Sequence, residues 1–421
     1  MKIITSHELF KNQNHEFFKT AALESLQNVE DIIEDIKKNG DKSIIHYSKT
    51  FNDGDFSSGE DFIVSKEEIK KAYEMTDDKT INALEKCIEN VRDFAQEQLS
   101  CLKNLDMKKN NSLLGHRVIP LERVLCYVPG GNYPLPSSAV MTCTPAKVAG
   151  VREVIITSPR IKPQTIVAAK MSGADKIYKL GGVQAIGAFA YGSESIKPVD
   201  KIVGPGNKYV TYAKKYVYGK CSIDFLAGPS EVLIVADNNQ NPELVSADIL
   251  AQCEHDRDAR GYLICFSKDF AQKVADCAQK QLQTLKTGNI AQISFEKSTA
   301  VIVNNIEEAV KISNLRAPEH LELMFDGAWE KSKDFTNYGS LFIGSCCAEV
   351  FGDYCSGTNH VLPTNSAARY TGGLSVFDFV KIQTYQMLSK EYSKELSILA
   401  SQMAQQEGLM GHKLASDLRR I

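Results

Sequence analysis

Short apolar runs alternate with segments of helical spacing through the middle of the chain. These runs cover residues 124–128, 153–157, 176–180, 201–203 and 231–236. Apolar strands that alternate with helices are typical of parallel βαβ units, whose strands are buried on both faces. The pattern therefore predicts one open α/β sheet over residues 124–236.

The same alternation resumes after a polar break at residues 237–242. Helices are predicted over 243–255, 268–285 and 306–312, with strands over 262–266 and 300–303. We therefore predict a second α/β sheet in this part of the chain.

Helical spacing dominates the segments before and after the two sheets. Val29, Ile32, Ile33 and Ile36 occupy the i, i+3, i+4 and i+7 positions of one helix face, and residues 21–105 are predicted to be mostly helical. The first 20 residues predict an arm or a short helix that needs a partner surface. The chain beyond Ser375 is again helical in pattern.

Together these elements predict two Rossmann-like open α/β domains without the G-x-G-x-x-G fingerprint, plus small helical N- and C-terminal segments. The expected order is an N-terminal arm (1–22), a discontinuous α/β domain (23–126 and 237–374), an inserted α/β domain (127–236) and a C-terminal helical tail (375–421). Because the N-terminal helical segment has no strands of its own, we expect it to share a core with the second sheet.

Composition excludes several classes of protein. The 421 residues are 43% hydrophobic and 24% charged, which is ordinary for a globular protein. The 49 basic and 52 acidic residues leave no positive excess for binding nucleic acid. The first residues of the sequence have no apolar core of the kind that a signal peptide needs, and no apolar run is long enough to span a membrane, so we expect neither feature. The 11 irregularly spaced cysteines favour reduced thiols, so we expect a cytoplasmic protein.

Four of the eight histidines lie close in sequence to other residues whose side chains can bind a metal or transfer a proton. They occur in the segments Gln252-Cys-Glu-His255, Pro318-Glu-His320, Asp353-Tyr-Cys-Ser-Gly-Thr-Asn-His360 and Glu407-Gly-Leu-Met-Gly-His412. Neutral imidazole is the commonest metal ligand and is suited to proton transfer near pH 7.

Gln252 and His255 lie three residues apart near the end of a predicted helix, so they are expected to share a face. Asp353 and His412, each in a predicted glycine-flanked turn, supply further oxygen and nitrogen donors. Such a set suits zinc or a similar divalent ion. The alternative is an exposed helix end at which His255 offsets the helix dipole.

Glu319 and His320 precede a strand-like run and are expected in the turn before it. A carboxylate and an imidazole placed there can each take a proton, one from water and one from an alcohol. A surface turn is the alternative. Residues 352–360 predict a loop rich in hydrogen-bonding groups, which favours a binding site, although solvent could satisfy the same groups.

Glycine-rich turns follow or precede several predicted strands. They lie at 129–133, 181–184, 204–207 and 228–230. Ligands of open α/β sheets bind outside the carboxyl ends of the strands, yet without the G-x-G-x-x-G motif the glycines alone do not indicate a cofactor. Ordinary βα turns explain the glycines, but less well the neighbouring Tyr127, Gln184 and Asn207.

Eight motifs in collinear order over residues 25–415 resemble the histidinol dehydrogenase family. They are Tyr127-Val-Pro-Gly-Gly, Gly181-Gly-Val-Gln-Ala-Ile, Val203-Gly-Pro-Gly-Asn-Lys-Tyr, Ala227-Gly-Pro-Ser-Glu-Val, Gln252-Cys-Glu-His, Ala317-Pro-Glu-His-Leu, Gly352-Asp-Tyr-Cys-Ser-Gly-Thr-Asn-His and Glu407-Gly-Leu-Met-Gly-His. Any one of them is a weak signal, but eight in order form a specific pattern. The departures, at Cys253, Cys355 and Met410-Gly411, lie between the key residues.

The resemblance implies a zinc-dependent, NAD-linked oxidation of L-histidinol to L-histidine in two steps through the aldehyde, the last steps of histidine biosynthesis. It also implies a homodimer in which C-terminal residues complete the partner's site. By position, the implied zinc ligands are Gln252, His255, Asp353 and His412, which together with His320 also surround the substrate. Glu319 and His320 resemble the acid/base pair. The implied NAD contacts are Tyr127, Gln184 and Asn207, and the further substrate contacts are Ser230, His360 and Glu407.

Three other functions are compatible with parts of this pattern. A zinc hydrolase also needs a metal beside Glu-His, but it needs no nucleotide pocket. A binding protein with a structural zinc usually supplies thiolate ligands, which the predicted set lacks. A relative acting on another amino or sulfonate alcohol is disfavoured by His360 and Glu407.

Overall fold

A computed structural model describes residues 1–11, 16–18, 26–130 and 134–420. Its strands are β1 Lys2–Thr5, β2 Leu105–Lys109, β3 Ser112–Pro120, β4 Arg123–Tyr127, β5 Glu153–Thr157, β6 Lys176–Tyr178, β7 Lys201–Val203, β8 Ser222–Ile223, β9 Glu231–Ala236, β10 Arg260–Cys265, β11 Thr299–Ile302, β12 His320–Met324, β13 Ser340–Ile343 and β14 Val380–Met387. Its helices are α1 Ser6–Lys11, α2 Gln27–Asn39, α3 Asp41–Thr50, α4 Lys66–Met75, α5 Asp78–Ser100, α6 Pro136–Val148, α7 Pro163–Met171, α8 Gly182–Tyr191, α9 Lys208–Val217, α10 Pro242–Cys253, α11 Lys268–Leu282, α12 Gly288–Lys297, α13 Ile306–Arg316, α14 Ala328–Lys331, α15 Glu349–Tyr354, α16 Lys390–Gln406 and α17 Met410–Asp417.

The first large sheet has five parallel strands in the order β6-β5-β4-β7-β8. The chain runs outward from β4 to β6 and then returns to the other side of β4 at β7. The strand order therefore reverses between β4 and β7, where Cys126 pairs with Val203. Such a switch point leaves a crevice at the carboxyl ends of the strands, which is where open α/β sheets bind ligands.

The second large sheet has six parallel strands in the order β1-β11-β10-β9-β12-β13. Its own reversal lies between β9 and β12, where His320 pairs with Val232. Both large sheets are thus Rossmann-like, as predicted, and the predicted α/β fold class with helical segments at both ends is confirmed.

The packing of the N-terminal helices differs from the prediction. Helices α2 and α3 pack on one face of the five-stranded sheet together with α8 and α9, and α4 and α5 pack on the other face with α6 and α7. The second sheet is covered instead by α10, α11 and α12 on one side and by α13 with the N-terminal segment on the other. The expected core between the N-terminal helices and the second sheet is therefore wrong, whereas the predicted domain boundaries stay a prediction.

Three element assignments are also corrected. Residues 231–236 form a strand as predicted, but this strand belongs to the six-stranded sheet. The N-terminal arm contains an edge strand, Lys2–Thr5, that pairs with β11; residues 12–15 and 19–25 of the predicted arm and first helix lie outside the described residues. The C-terminal tail begins with a short 3₁₀ helix, Val376–Phe379, and a strand, Val380–Met387, before its two α-helices.

This last strand joins a small antiparallel sheet of order β14-β3-β2 that the hydrophobic pattern did not predict. Its two outer strands are largely exposed and its middle strand is mostly half-buried, so they lack the continuous apolar run that marks the buried parallel strands. Among the described residues, no helix is both long enough and apolar enough to cross a membrane.

Candidate active site

Buried polar side chains gather at the amino ends of β9 and β12. Glu319 lies in the bend before β12, and His320 is the first residue of that strand. Both side chains are buried. The cluster therefore lies at the edge of the six-stranded sheet opposite to the one at which open α/β sheets commonly bind ligands.

The backbone of one residue, Glu231, holds the predicted acid/base pair. The backbone N–H of Glu231 donates to the Glu319 carboxylate at 2.8 Å, and the carbonyl oxygen of the same residue lies 3.1 Å from Nδ1 of His320. The Glu231 side chain forms a buried ion pair with Arg316, whose guanidinium also donates to the carbonyl of Phe17 at 2.8 Å. The N-terminal segment is thereby tied to the residue that positions the pair.

His320 has a partner for Nδ1 in either protonation state of that atom. When Nδ1 carries a hydrogen it can donate to the Glu231 carbonyl, and when it does not it can accept from the amide of Gln252, 3.2 Å away. The other ring nitrogen, Nε2, has no hydrogen-bond partner and faces an Asp353 carboxylate oxygen at 3.6 Å. Nε2 is therefore the atom available to a substrate.

Carboxyl groups surround this imidazole. Burial raises the pKa of Glu319 to about 8, and burial together with the nearby Asp248 raises the pKa of Glu322 to about 8. Burial also raises the pKa of Glu349, whose carboxylate lies 3.9 Å from His320 Nδ1. Burial alone would lower the pKa of His320, but Glu319, Glu349 and Asp353 raise it above its ordinary value. The imidazole and its carboxyl neighbours therefore share protons and titrate as one unit.

Two of the four predicted zinc ligands, Gln252 and Asp353, lie beside His320, and a third, the exposed His255, is near enough for its pKa to respond to Asp353 and His320. Gln252 is fully buried on α10 and its Oε1 atom has no hydrogen-bond partner, a costly state that an electropositive ligand relieves. Asp353 is in reach of His320, and both act electrostatically on the imidazole of His255. Among the described residues, no three His, Cys, Asp or Glu side chains form a metal-holding group. This chain thus offers one amide, one imidazole and one carboxylate, which fit zinc once a further ligand is added.

The fourth predicted ligand, His412, is exposed on α17, and among the residues that the structure describes no contact joins it to the cluster. Its expected glycine-flanked turn is in fact a helix. Asp353 likewise lies on the short helix α15 rather than in the predicted loop, and α10 ends at Cys253, so His255 occupies the turn beyond it. A helix of two turns or fewer has too little periodicity to be distinguished from a loop by sequence.

Two of the three further predicted substrate contacts lie at the cluster, and the third lies on the C-terminal helices. Ser230 immediately precedes β9, next to Glu231, and His360 donates through Nδ1 to the Asp353 carbonyl at 2.6 Å. Glu407 is exposed at the corner between α16 and α17, next to Gly408 with its positive φ of 74°. The described residues therefore place Ser230 and His360 at the cluster and leave Glu407 with His412 on the C-terminal helices.

The predicted cofactor contacts lie at the carboxyl edge of the five-stranded sheet. Tyr127 ends β4 and accepts a hydrogen bond from the Gly182 amide at 3.1 Å; burial raises its pKa, so its phenol stays neutral. Gln184 is buried at the start of α8 and donates to Asp53 at 3.1 Å, while its Oε1 atom has no partner. A neutral phenol and an unpaired amide oxygen at this edge fit a polar, uncharged part of a dinucleotide.

The third contact, Asn207, caps α9 by accepting from the amides of Tyr209 and Val210. The turn before it is fixed by a buried ion pair: Lys214 donates to the Gly204 carbonyl at 2.9 Å, and Asp224 accepts from the Gly204 amide at 2.7 Å. A Cβ atom at Gly204 would lie 2.1 Å from the Tyr127 carbonyl oxygen. Only glycine therefore lets these two turns meet at the switch point. Gly131, Asn132 and Tyr133 of the neighbouring predicted turn lie outside the described residues.

Several residues of the site were not found by sequence reasoning. They are Glu231, Glu322, Glu349, Asp53, Lys214 and Asp224. Glu322 stands in an apolar strand run, where a lone charged residue is unusual. That signal was available in the sequence, whereas the others are marked only by tertiary contacts.

Comparisons with known proteins extend over nearly the whole chain. The sequence model of the histidinol dehydrogenase family matches residues 18–420. Histidinol dehydrogenase of Methanococcus maripaludis is 45% identical over 394 residues, which cover 93% of this chain and 92% of that protein. The Methanocaldococcus jannaschii enzyme of the same name is 44% identical, with coverage of 92% and 91%. The crystal structure of histidinol dehydrogenase from Elizabethkingia anophelis has a TM-score of 0.92 and 35% identity, covering 99% of this chain and 96% of that one.

Proposed function

The chain belongs to the histidinol dehydrogenase family, oxidoreductases of histidine biosynthesis, and from this premise we propose that it oxidises L-histidinol to L-histidine in two NAD-linked steps in the cytoplasm. The observation that carries the proposal is the pairing of Glu319 and His320 by the backbone of Glu231, beside the unpaired Oε1 of Gln252. An acid/base pair next to a metal donor is what oxidation of an alcohol through an aldehyde requires.

The first oxidation needs removal of the hydroxyl proton. In the neutral form of His320, Nε2 has no hydrogen-bond partner among the described residues and is the atom that takes this proton. A hydride leaves the carbinol carbon as the proton leaves its oxygen, which gives the aldehyde, NADH and a proton. Nδ1–H of His320 donates to the Glu231 carbonyl both before and after Nε2 takes the proton, so the ring need not turn during the transfer.

The second oxidation needs water to add to the aldehyde, which has no hydroxyl of its own. Glu319 in its carboxylate form takes a proton from this water as the water oxygen adds to the aldehyde carbon, and protonated His320 gives its proton to the carbonyl oxygen, which yields the diol. The neutral imidazole then takes a hydroxyl proton of the diol as the second hydride leaves to a second NAD, which yields the acid and NADH. The charge of protonated His320 lowers the pKa of Glu319. The proton gained in the first step therefore favours the form of Glu319 that the second step uses.

Zinc and NAD supply the remaining chemistry when they are bound: the ion holds and polarises the substrate, and the nicotinamide accepts the hydride. Gln252, His255 and Asp353 of one chain, with His412, are the residues that would hold the ion. Tyr127, Gln184 and Asn207 would contact NAD, and Ser230, His360 and Glu407 would bind the histidinol.

A homodimer accounts for the placement of His412 and Glu407. Exposed apolar side chains follow the two C-terminal helices: Ile398, Leu399, Met403, Leu409, Met410, Leu414 and Leu418. A second copy of the chain would cover this surface and bring the two polar residues to its own Gln252 and Asp353. The site is incomplete without that copy, because one chain supplies only three of the four ligands.

The proposal is tested by following NADH formation from L-histidinol and NAD with the purified protein, before and after treatment with a chelator. We expect activity that the chelator removes and zinc restores. A zinc hydrolase would form no NADH, and a relative with another alcohol as substrate would form NADH from that alcohol but not from L-histidinol.

A further inference from the structure

A cavity of about 700 Å³ lies between the second half of α5 and the ends of α6 and α7. Helix α7 ends just before β6 begins, so this α5–α7 cavity lies at the amino edge of the five-stranded sheet. The predicted cofactor contacts lie at the opposite, carboxyl edge of that sheet. The volume is in the range of small-molecule sites, and no residue that lines the cavity has a role in the oxidation described above.

Two hydroxyl groups in the wall of the α5–α7 cavity have no hydrogen-bond partner among the described residues. They belong to Thr144 on α6 and Ser172 at the end of α7, whose exposed fractions are only 2% and 4%. By contrast, the hydroxyl of Thr142 on the same helix donates to the Ser138 carbonyl at 2.6 Å. Buried hydroxyls are rarely left without a partner. Two of them beside one cavity therefore indicate that a bound molecule supplies the missing partners.

The charged side chains at the cavity indicate which kind of molecule this is. Arg92 is exposed on α5 and lines the cavity, and Glu89, one turn earlier on that helix, is paired with Lys86. Lys147 also lines the cavity, but it is paired with Asp175 at 3.1 Å. The Arg92 guanidinium therefore supplies the positive charge, and guanidinium groups bind carboxylate and phosphate oxygens with two parallel hydrogen bonds.

The remaining wall of the cavity is largely apolar. Leu99, Val148 and Met171 contribute to it, one from each helix, and all three side chains are half-buried. Leu99 lies two turns beyond Arg92 on the same face of α5, or roughly 10 Å along the helix axis. The cavity thus offers a cationic group and, at the distance of a small molecule's length, an apolar surface.

We propose that the α5–α7 cavity binds a small molecule with one carboxylate or phosphate group on a short apolar body, and that this molecule is an effector of the active site. Its anionic group accepts hydrogen bonds from Arg92 and from the hydroxyls of Thr144 and Ser172. Its apolar body packs against the three apolar side chains of the wall. The site is separate from those proposed for histidinol, zinc and NAD.

Two hydrogen bonds connect the helices of this cavity to the segment that carries Asp353. Asn90 on α5 donates to the Cys355 carbonyl at 2.7 Å. Asn359 donates to the carbonyl of Met141 on α6, also at 2.7 Å. On each helix the residue that makes this bond lies within one turn of a residue that lines the cavity. A ligand that changes the spacing of α5 and α6 therefore shifts the segment between Asp353 and Asn359, which alters binding at the active site.

The test uses phenylacetate and phenyl phosphate as probes, because they carry the two kinds of anionic group on the same apolar ring. Benzyl alcohol is the uncharged analogue. Arg92→Gln removes the charge at the cavity, and Thr144→Val removes the unpaired hydroxyl without loss of a hydrogen bond among the described residues. The matched controls are Arg152→Gln, at an exposed position outside the cavity, and Thr142→Val, on the same helix as Thr144. Binding is measured by calorimetry.

We expect at least one anionic probe to bind the wild-type protein about tenfold more tightly than benzyl alcohol does, and the tighter probe distinguishes a carboxylate from a phosphate ligand. Arg92→Gln and Thr144→Val are each expected to weaken this binding by about tenfold, the effect of losing one strong hydrogen bond, whereas both controls bind as the wild type does. A saturating concentration of the probe is expected to change the KM for histidinol by about fivefold or more, and Arg92→Gln is expected to remove this change.

The assignment would be overturned if neither anionic probe binds, if benzyl alcohol binds equally well, or if both variants bind as the wild type does. Binding without a change in the KM for histidinol would overturn the role as an effector. Calorimetry needs no turnover, so these outcomes are distinct from the absence of NADH formation without any probe, which would overturn the proposed function instead.

Discussion

The amide nitrogen of Gln252 lies 3.2 Å from Nδ1 of His320, so the helix that offers a metal donor also lies directly against the imidazole expected to move the proton. Its other amide atom, Oε1, is buried without a partner. A metal bound at Oε1 would fix the orientation of the amide, and the amide N–H beside Nδ1 favours the tautomer of His320 in which Nδ1 has no hydrogen. Metal binding and the protonation state of His320 would therefore be coupled through one side chain.

Zinc content tests the metal side of this relationship. His255→Ala removes one of the proposed ligands and is expected to abolish stoichiometric zinc, because the remaining donors cannot complete a four-coordinate site. Metal is counted in the purified protein by mass spectrometry. The control is His7→Ala, which removes an exposed histidine on α1. A full zinc complement in the His255→Ala protein would contradict the ligand assignment.

Subunit mixing tests whether the site is shared between two chains. His412→Ala and His320→Ala are each expected to be inactive alone. If the C-terminal helices act on the partner, random exchange gives a mixed dimer with one intact site, and about one quarter of the wild-type activity returns. Subunit exchange is verified with differently tagged chains. If exchange is complete and no activity returns, the site belongs to one chain.

Separate assays of the two oxidations test the division of labour between Glu319 and His320. Glu319→Gln keeps the shape of the side chain but removes the base, so it is expected to slow oxidation of histidinal far more than that of histidinol. His320→Ala is expected to slow both steps by ~10²–10⁴-fold, the usual range for general acid–base catalysis. The rate of each oxidation is measured as single-turnover NADH formation from histidinol and, separately, from histidinal. Equal slowing of both substrates by Glu319→Gln would mean that the pair acts as one unit.

The buried carboxyl groups predict an unusual pH dependence of stability. The pKa of Glu322 is raised by burial and by Asp248 to about 8 in the folded protein, against ~4.3 in an unfolded chain. Between these values the folded state binds more protons, so this group makes the free energy of unfolding fall with rising pH, by up to ~1.4 kcal/mol per pH unit. Its contribution to stability is full below the unfolded value and is lost as the pH approaches 8.

Glu322→Gln removes this titration and can still accept the hydrogen bond from the Glu349 amide. The variant is expected to lose less stability than the wild type between pH 5.5 and 8, measured by urea unfolding at fixed protein concentration. Glu330→Gln, at an exposed position on α14, is the control. An identical pH slope in the Glu322→Gln and wild-type proteins would show that Glu322 does not hold a proton in the fold.

The sequence was sufficient to predict the bounds of those strands whose hydrophobic pattern is set by burial. The strands Glu153–Thr157, Lys201–Val203 and Glu231–Ala236 were predicted to the residue, because parallel strands buried on both faces are continuous apolar runs. Such an apolar run does not indicate to which sheet its strand belongs. Glu231–Ala236 was therefore assigned to the wrong sheet, although its bounds were correct.

The structural features that could not be predicted from the sequence depend on contacts between residues far apart in the chain. The antiparallel strand Val380–Met387 is mostly exposed, and its partner lies more than 250 residues earlier in the chain, around Leu114. Glu231 positions the acid/base pair through its backbone, which carries no residue-specific signal. Within one chain, neither pattern nor fold connects His412 to the cluster, and only the family resemblance suggested its role.

The most direct test of the account is the number of NADH molecules formed per molecule of L-histidinol consumed, with histidinol limiting and NAD in excess. Both oxidations at one site require two NADH for each histidinol and L-histidine as the product, which mass spectrometry identifies. One NADH per histidinol with accumulation of the aldehyde, or no NADH at all, would contradict it.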